Sequence, residues 1–116
     1  GPYPPAKFVH GHHGRFGEAL NSAVSPGVVI SGARVNGSVV SPDVHVHSYT
    51  EIDNSVILDG VQIGRNCRIQ RAIIDKNVTI PEATSIGFDR EHDEARGFSV
   101  TESGITVVGK GQVVTP

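Results

Sequence analysis

Residues 38–54, 55–71 and 72–88 read SVVSPDVHVHSYTEIDN, SVILDGVQIGRNCRIQR and AIIDKNVTIPEATSIGF, one pattern written three times. Val40, Ile57 and Ile74 recur at a step of 17 residues, and so do Val46, Ile63, Ile80 and Ile52, Ile69, Ile86. Two further columns, Val39, Val56, Ile73 and Val44, Val61, Val78, keep the same step. Every one of these positions is Val or Ile, yet the two residues make up only about a quarter of the chain. A stacked, pleated surface accepts β-branched side chains best, so the columns read as strands. Within each unit the spacing runs six, six, five, which divides it into three short strands of hexapeptide type. One unit is one turn of a parallel β-helix with three faces.

An earlier coil begins at Ser22, where Val24, Ile30 and Val35 fall into step once one residue is dropped. The sequence therefore predicts an all-β solenoid of about four coils, 22–37, 38–54, 55–71 and 72–88. Residues 1–21, with Pro2, Pro4 and Pro5 ahead of Lys7-Phe8-Val9, read as an entering linker that makes one extended strand. Residues 89–97 leave the repeat, and their charge predicts a surface loop or a single helical turn. Two strands, 98–101 and 105–108, joined by Glu102-Ser103-Gly104, have the pattern of a C-terminal hairpin that caps the open end.

At 116 residues the chain is one domain, and a narrow solenoid builds its core with few aromatics. Ten Lys and Arg against twelve acids give a net charge of −2, which provides no electrostatic footprint for nucleic acid or an anionic membrane. Cys67 is the single cysteine, so no internal disulfide forms. Its neighbours one period away are Thr50 and Thr84, which marks it as a small inward filler. No secretory leader and no apolar run long enough to span a bilayer are visible, the expectation for a cytoplasmic protein.

Few residues offer chemistry. Arg65, Arg68, Arg71 and Lys76 form a basic stretch that could clamp the phosphate of a small molecule. Stacking by one period also sets Asp59 against Lys76, Glu51 against Arg68 and Glu82 against Arg65, a ladder of ion pairs that would leave Arg71 unpaired. His10, His12 and His13 sit in the linker. His45 and His47 alternate on one strand and are placed on opposite faces of it, which argues against chelation by the pair. The expected metal ligands are therefore none. There is no Gly-rich phosphate loop, nucleophile elbow or paired-carboxylate motif, so the segment is expected to be non-catalytic, a binding or assembly module.

Pro4-Pro5-Ala6-Lys7-Phe8-Val9, Ser22-Ala23-Val24-Ser25, Ile30-Ser31-Gly32-Ala33, Ile74-Asp75-Lys76-Asn77-Val78 and Gly104-Ile105-Thr106-Val107-Val108 together resemble the carboxy-terminal domain of bacterial ADP-glucose pyrophosphorylase. The resemblance covers nearly the whole chain. It implies a parent nucleotidyltransferase that makes ADP-glucose and pyrophosphate from ATP and glucose 1-phosphate with magnesium, for glycogen synthesis. Catalysis would belong to a missing amino-terminal domain that enters through residues 1–21, and no cofactor is implied for this segment. The resemblance also implies a left-handed helix, although ordinary crossover sterics favour the right hand. It further implies subunit contacts in a homotetramer and part of an allosteric site for an anionic metabolite effector, whose identity varies within the family. Lys76 and Lys110 match positions that contact such effectors, and Arg71 joins them as the unpaired cation. Two other readings use the same solenoid: a free-standing structural or anion-sensing module, and a trimeric hexapeptide-repeat acyltransferase with His45 or His47 as its base.

Overall fold

A computed structural model describes residues 3–9 and 17–116, and the chain it shows winds through three sheets in strict rotation. The first three strands are β1 (Lys7–Val9), β2 (Glu18–Leu20) and β3 (Ala23–Val24). They are followed by β4 (Val29–Ser31), β5 (Arg34–Asn36) and β6 (Val39–Val40), then β7 (His45–Val46), β8 (Glu51–Asp53) and β9 (Val56–Ile57). The last turns supply β10 (Gln62–Ile63), β11 (Arg68–Gln70), β12 (Ala72–Ile74), β13 (Thr79–Ile80) and β14 (Ser85–Ile86). Every third strand stacks in parallel. Sheet A runs β1-β4-β7-β10-β13, sheet B runs β2-β5-β8-β11-β14, and sheet C runs β3-β6-β9-β12. The linker segment, expected to give one strand, gives two: β1 pairs with β4 and β2 pairs with β5.

The register explains the dropped residue. Val24 aligns with Val40 and Ile30 with Val46, but Val35 aligns with Ile52. The shortening therefore falls at the corner between β4 and β5, where a strand is not altered. Inside, the columns Val40–Ile57–Ile74, Val46–Ile63–Ile80, Ile52–Ile69–Ile86 and Val44–Val61–Val78 are all buried. The column of Val39, Val56 and Ile73 lies on the outside of sheet C, with Val39 exposed.

The corners obey two rules. First, they turn through left-handed backbone, in the columns Asp43–Gly60–Asn77, Gly32–Tyr49–Asn66–Ala83 and Gly37–Asn54–Arg71. Glycine, Asn and Asp adopt that conformation at least cost, and at Gly60 any Cβ would strike the side-chain oxygen of Asn77 from the next coil. Second, small polar residues at the corners satisfy buried backbone groups. The Ser38 hydroxyl accepts from the Ser55 amide at 3.0 Å, the Ser55 hydroxyl from the Ala72 amide at 3.1 Å, and the Thr50 hydroxyl from the Cys67 amide at 3.1 Å. Cys67 is fully buried in the column with Thr50 and Thr84, as the spacing implies.

The far end is closed by an excursion. Residues 90–95 form a short helix, α1 (Arg90–Ala95), whose N-cap Asp89 accepts from the His92 amide. An antiparallel hairpin follows, β15 (Ser99–Val100) with β16 (Thr106–Val108), and β16 pairs in parallel with β12 as the next rung of sheet C. The charged run is not merely a surface loop. Asp93 is 1% exposed and accepts from the Gly87 amide at 2.9 Å, the Thr106 hydroxyl at 3.2 Å and the Arg96 guanidinium at 2.7 Å. Arg96 in turn donates to the carbonyls of Ser85 and Thr115 and lies over the Phe98 ring. A buried carboxylate is tolerable only when its lone pairs are satisfied, and here the end of sheet B, sheet C and Arg96 at the C-cap of α1 all donate to it. No helix is long and apolar enough to cross a membrane among the described residues.

Candidate functional site

Sheet C decides where the basic residues go. β12 ends at Ile74, which aligns with Val108 of β16, and the Asp75 amide continues the ladder by donating to the Val108 carbonyl at 2.9 Å. Two residues past this last pair, at the same end of the two strands, come Lys76 and Lys110. Both lysines are exposed and stand on corners. The Lys76 corner is held by its own amide, which donates to the Asp75 carboxylate at 2.7 Å, and by left-handed Asn77, whose amide donates to the Asp59 carbonyl. The Lys110 corner is held by Gln112, which accepts from the Gly109 amide and donates to the Gly97 carbonyl at 2.7 Å. A cleft of about 410 Å³ opens beside this pair, lined by Asn77, Thr79, Pro81, Gly111, Gln112 and Val113 among others.

Arg71 is elsewhere. It occupies the opposite end of β12, in left-handed backbone at φ 47°, and it is not unpaired. Its guanidinium donates to the Ser103 carbonyl and its own carbonyl accepts from the Thr106 amide at 3.0 Å. Arg71 thus fastens the hairpin turn to the solenoid. It lines two clefts, one of about 390 Å³ with Asn54, Val56, Ile73 and Ile105, and one of about 200 Å³ with Phe88, Arg90 and Gly104. Lys76 and Lys110 follow the same end of the β12–β16 pair, and Arg71 stands at the other end.

The expected ladder of ion pairs is absent. Among the described residues the ion pairs are Arg34–Glu18, Arg90–Glu94 and Arg96–Asp93. Arg68 lies over the Phe88 ring at 4.2 Å and Arg65 over the Tyr49 ring at 5.9 Å. The register does place Glu51 beside Arg68, but it places Arg34 on the other side of Glu51. An exposed pair gains about 0–1 kcal/mol, and an aromatic face offers a cation about as much. Among the described residues Lys76 takes part in no ion pair.

The histidines need a second correction. Residues i and i+2 of a strand share a face, and Val46 between them is fully buried. His45 and His47 therefore project outward together, with rings stacked 4.0 Å apart at 16°. Burial, and then the neighbouring His47, push the His45 pKa down from its ordinary value. His10, His12 and His13 lie outside the described residues. Cys67 is inert in character: burial raises its thiol pKa against hydrogen bonds from Thr84, Thr50 and Ala83 that act the other way.

Sequence reasoning missed Gln112, which ties the Lys110 corner to Gly97, and Asp93 and Arg96, which tie α1 to the end of the solenoid and to the tail. The available signal was the Asp93 to Arg96 spacing, three residues apart on one helical face, hidden within a run that reads as solvated.

Comparison with known proteins agrees with the hexapeptide-repeat solenoid. The family described as GlmU-like, C-terminal hexapeptide matches residues 4–108. The chain is 53% identical over 114 residues to a glucose-1-phosphate adenylyltransferase of Bifidobacterium adolescentis, covering 98% of this chain and 28% of that protein. It is 57% identical over 111 residues to the enzyme of that name from an Arthrobacter species, covering 96% and 24%. A Deinococcus radiodurans protein of the same name is 52% identical over 110 residues, covering 95% and 27%. The chain spans about a quarter of the length of these relatives.

Proposed function

The chain belongs to the GlmU-like C-terminal hexapeptide family, and from that premise we propose that it is the regulatory and assembly region of a cytoplasmic glucose-1-phosphate adenylyltransferase. The parent enzyme would join ATP and glucose 1-phosphate into ADP-glucose and pyrophosphate. Its chemistry, and the magnesium it uses, would reside in the part of the polypeptide outside this chain. The residues here do not suit that ion: among the described residues no group of three or more His, Cys, Asp or Glu is placed to hold a metal.

The observation that supports the regulatory reading is the β12–β16 register, which pairs Ile74 with Val108, the residues two positions ahead of Lys76 and Lys110. Two like charges on neighbouring corners repel, and an anion that binds between them relieves the repulsion. Such an anion favours whichever conformation holds the corners together, which is the thermodynamic content of activation. Phosphate and carboxylate effectors both satisfy this requirement. The Lys110 corner is coupled through Gln112 to Gly97 and through α1 to the end of the solenoid, so a movement there has a rigid body to act on.

The assembly reading rests on the unequal faces of the prism. The outward column of sheet A contains Lys7, Val29, His45, Gln62 and Thr79, and that of sheet B contains Glu18, Arg34, Glu51, Arg68 and Ser85. Sheet C instead presents Ala23, Val39, Val56, Ile73 and Val107 in one register. An apolar sheet face of this kind suits a subunit contact, in a homotetramer on this reading.

The test uses the full-length enzyme. Lys76→Ala and Lys110→Ala are each expected to weaken activation by the anionic effector and to leave turnover without effector nearly intact. Unchanged activation in both variants overturns the site assignment.

A further inference from the structure

The stacked histidines of sheet A play no part in the lysine corner, and their geometry supports a function of its own. Buried Val46 fixes the strand between them, so His45 and His47 leave the surface side by side. Their rings are 4.0 Å apart and nearly parallel. A late transition ion binds each imidazole nitrogen at about 2.0–2.1 Å, so two imidazoles on one ion hold their nitrogens about 3–4 Å apart. The 4.0 Å is a separation of ring centroids, and an imidazole lone pair lies in its ring plane, so the stack opens by rotation about the side-chain bonds to turn one nitrogen of each ring toward a shared ion.

The surroundings include a further donor oxygen: the Ser31 hydroxyl is hydrogen-bonded to His45 Nε2 at 3.4 Å. On the other side the register carries Gly64 next to His47, and glycine has no side chain to cover the rings. Neither histidine takes part in an ion pair with a carboxylate among the described residues.

We propose that His45 and His47 form a two-imidazole chelate for a divalent late transition ion of the copper, nickel or zinc class, with water completing the coordination sphere. With only two protein ligands the site is open and exchangeable, and affinity follows the intrinsic order in which copper binds most tightly. The proposal is independent of the effector reading, since it shares no residue with it.

Cu²⁺ is the probe. Because His10, His12 and His13 would bind the same ion, the titration is run on the chain with those three replaced by Ala. The expected result is one Cu²⁺ per chain, with an electron paramagnetic resonance spectrum showing two coordinating imidazole nitrogens. His45→Ala and His47→Ala should each weaken binding at least about tenfold, and His92→Ala should not. Melting curves of the variants, expected to match the parent, separate a lost ligand from a lost fold. Absence of binding, a spectrum with a single nitrogen, or equal affinity in His47→Ala with the fold intact overturns the proposal.

Discussion

Replacing Asp93 by Asn keeps the shape of the side chain and removes one oxygen, which makes it a sharp probe of how the solenoid is closed. Three donors converge on the carboxylate: the Arg96 guanidinium on one oxygen, and the Gly87 amide and Thr106 hydroxyl on the other. An Asn side chain can present its single oxygen to only one of these sides, and its amino group then meets either Arg96 or the Gly87 amide, donor against donor. Side chains in this ion pair are 2% and 6% exposed, so water offers little compensation. Removing one charge of a buried pair costs about 3–5 kcal/mol. Arg96 keeps its bonds to Ser85 and Thr115, which argues for the lower end, about 3 kcal/mol. A domain of this size has about 5–15 kcal/mol in all, so the melting temperature should drop by on the order of 10 °C. Urea unfolding measures the loss, and hydrogen exchange locates it: amides of β14 and β16 should lose protection before those of β7 and β10. A loss under about 1 kcal/mol, the scale of an exposed pair, would refute the claim that this ion pair closes the end of the solenoid.

Other expectations follow from the interior. Ile63→Asp puts an unpaired carboxylate between Val46 and Ile80, a penalty of several kcal/mol, and should abolish cooperative unfolding; an unchanged melting temperature would contradict the inward assignment. Gly60→Ala and Gly111→Ala both force a Cβ into left-handed backbone, but the first also sets it against the Asn77 side chain whereas the second meets nothing within 4 Å. Each should lose about 1–2 kcal/mol from the backbone alone, and the first should lose more in urea titrations because Asn77 must also move. Burial raises the Cys67 thiol above its ordinary value of 9.0, so in the unfolded chain the thiol ionises first. Stability should therefore hold below that value and decline as pH rises through it, and Cys67→Ala should remove that part of the decline.

The repeat was legible because a solenoid writes its core as columns: Val46, Ile63 and Ile80 must match, since each touches the next. Cys67 was legible for the same reason, lying between Thr50 and Thr84. The lysine corner could be named from a family resemblance, but its geometry rests on the return of β16 to the edge of β12, which no periodicity announces. The ladder of ion pairs failed because stacking fixes which residues are neighbours and says nothing of what else competes for them; Phe88 took Arg68. Arg71 looked unpaired because the hairpin turn that holds it lies 32 residues away. Asp93 and Arg96 were hidden because a charged run looks solvated until its buried side is seen. The two histidines were misplaced by an error in the strand period, which the stacked rings expose.

The excursion through α1 and β15 occupies residues 89–105, a stretch of 17 residues, before β16 resumes sheet C at Thr106. That is one full period of the repeat. Phe88 spliced directly to Thr106 would reproduce the step from Arg71 to Ala72, and every later residue would fall in the column it would occupy had the coil simply continued. The length of the solenoid and its closure are therefore separable instructions. The excised loop carries the stopper, Asp93 and Arg96, while the rung after it remains an ordinary coil strand that could accept another turn. A chain built this way can be lengthened or shortened by whole turns without rewriting its core, so long as one stopper is left at the end.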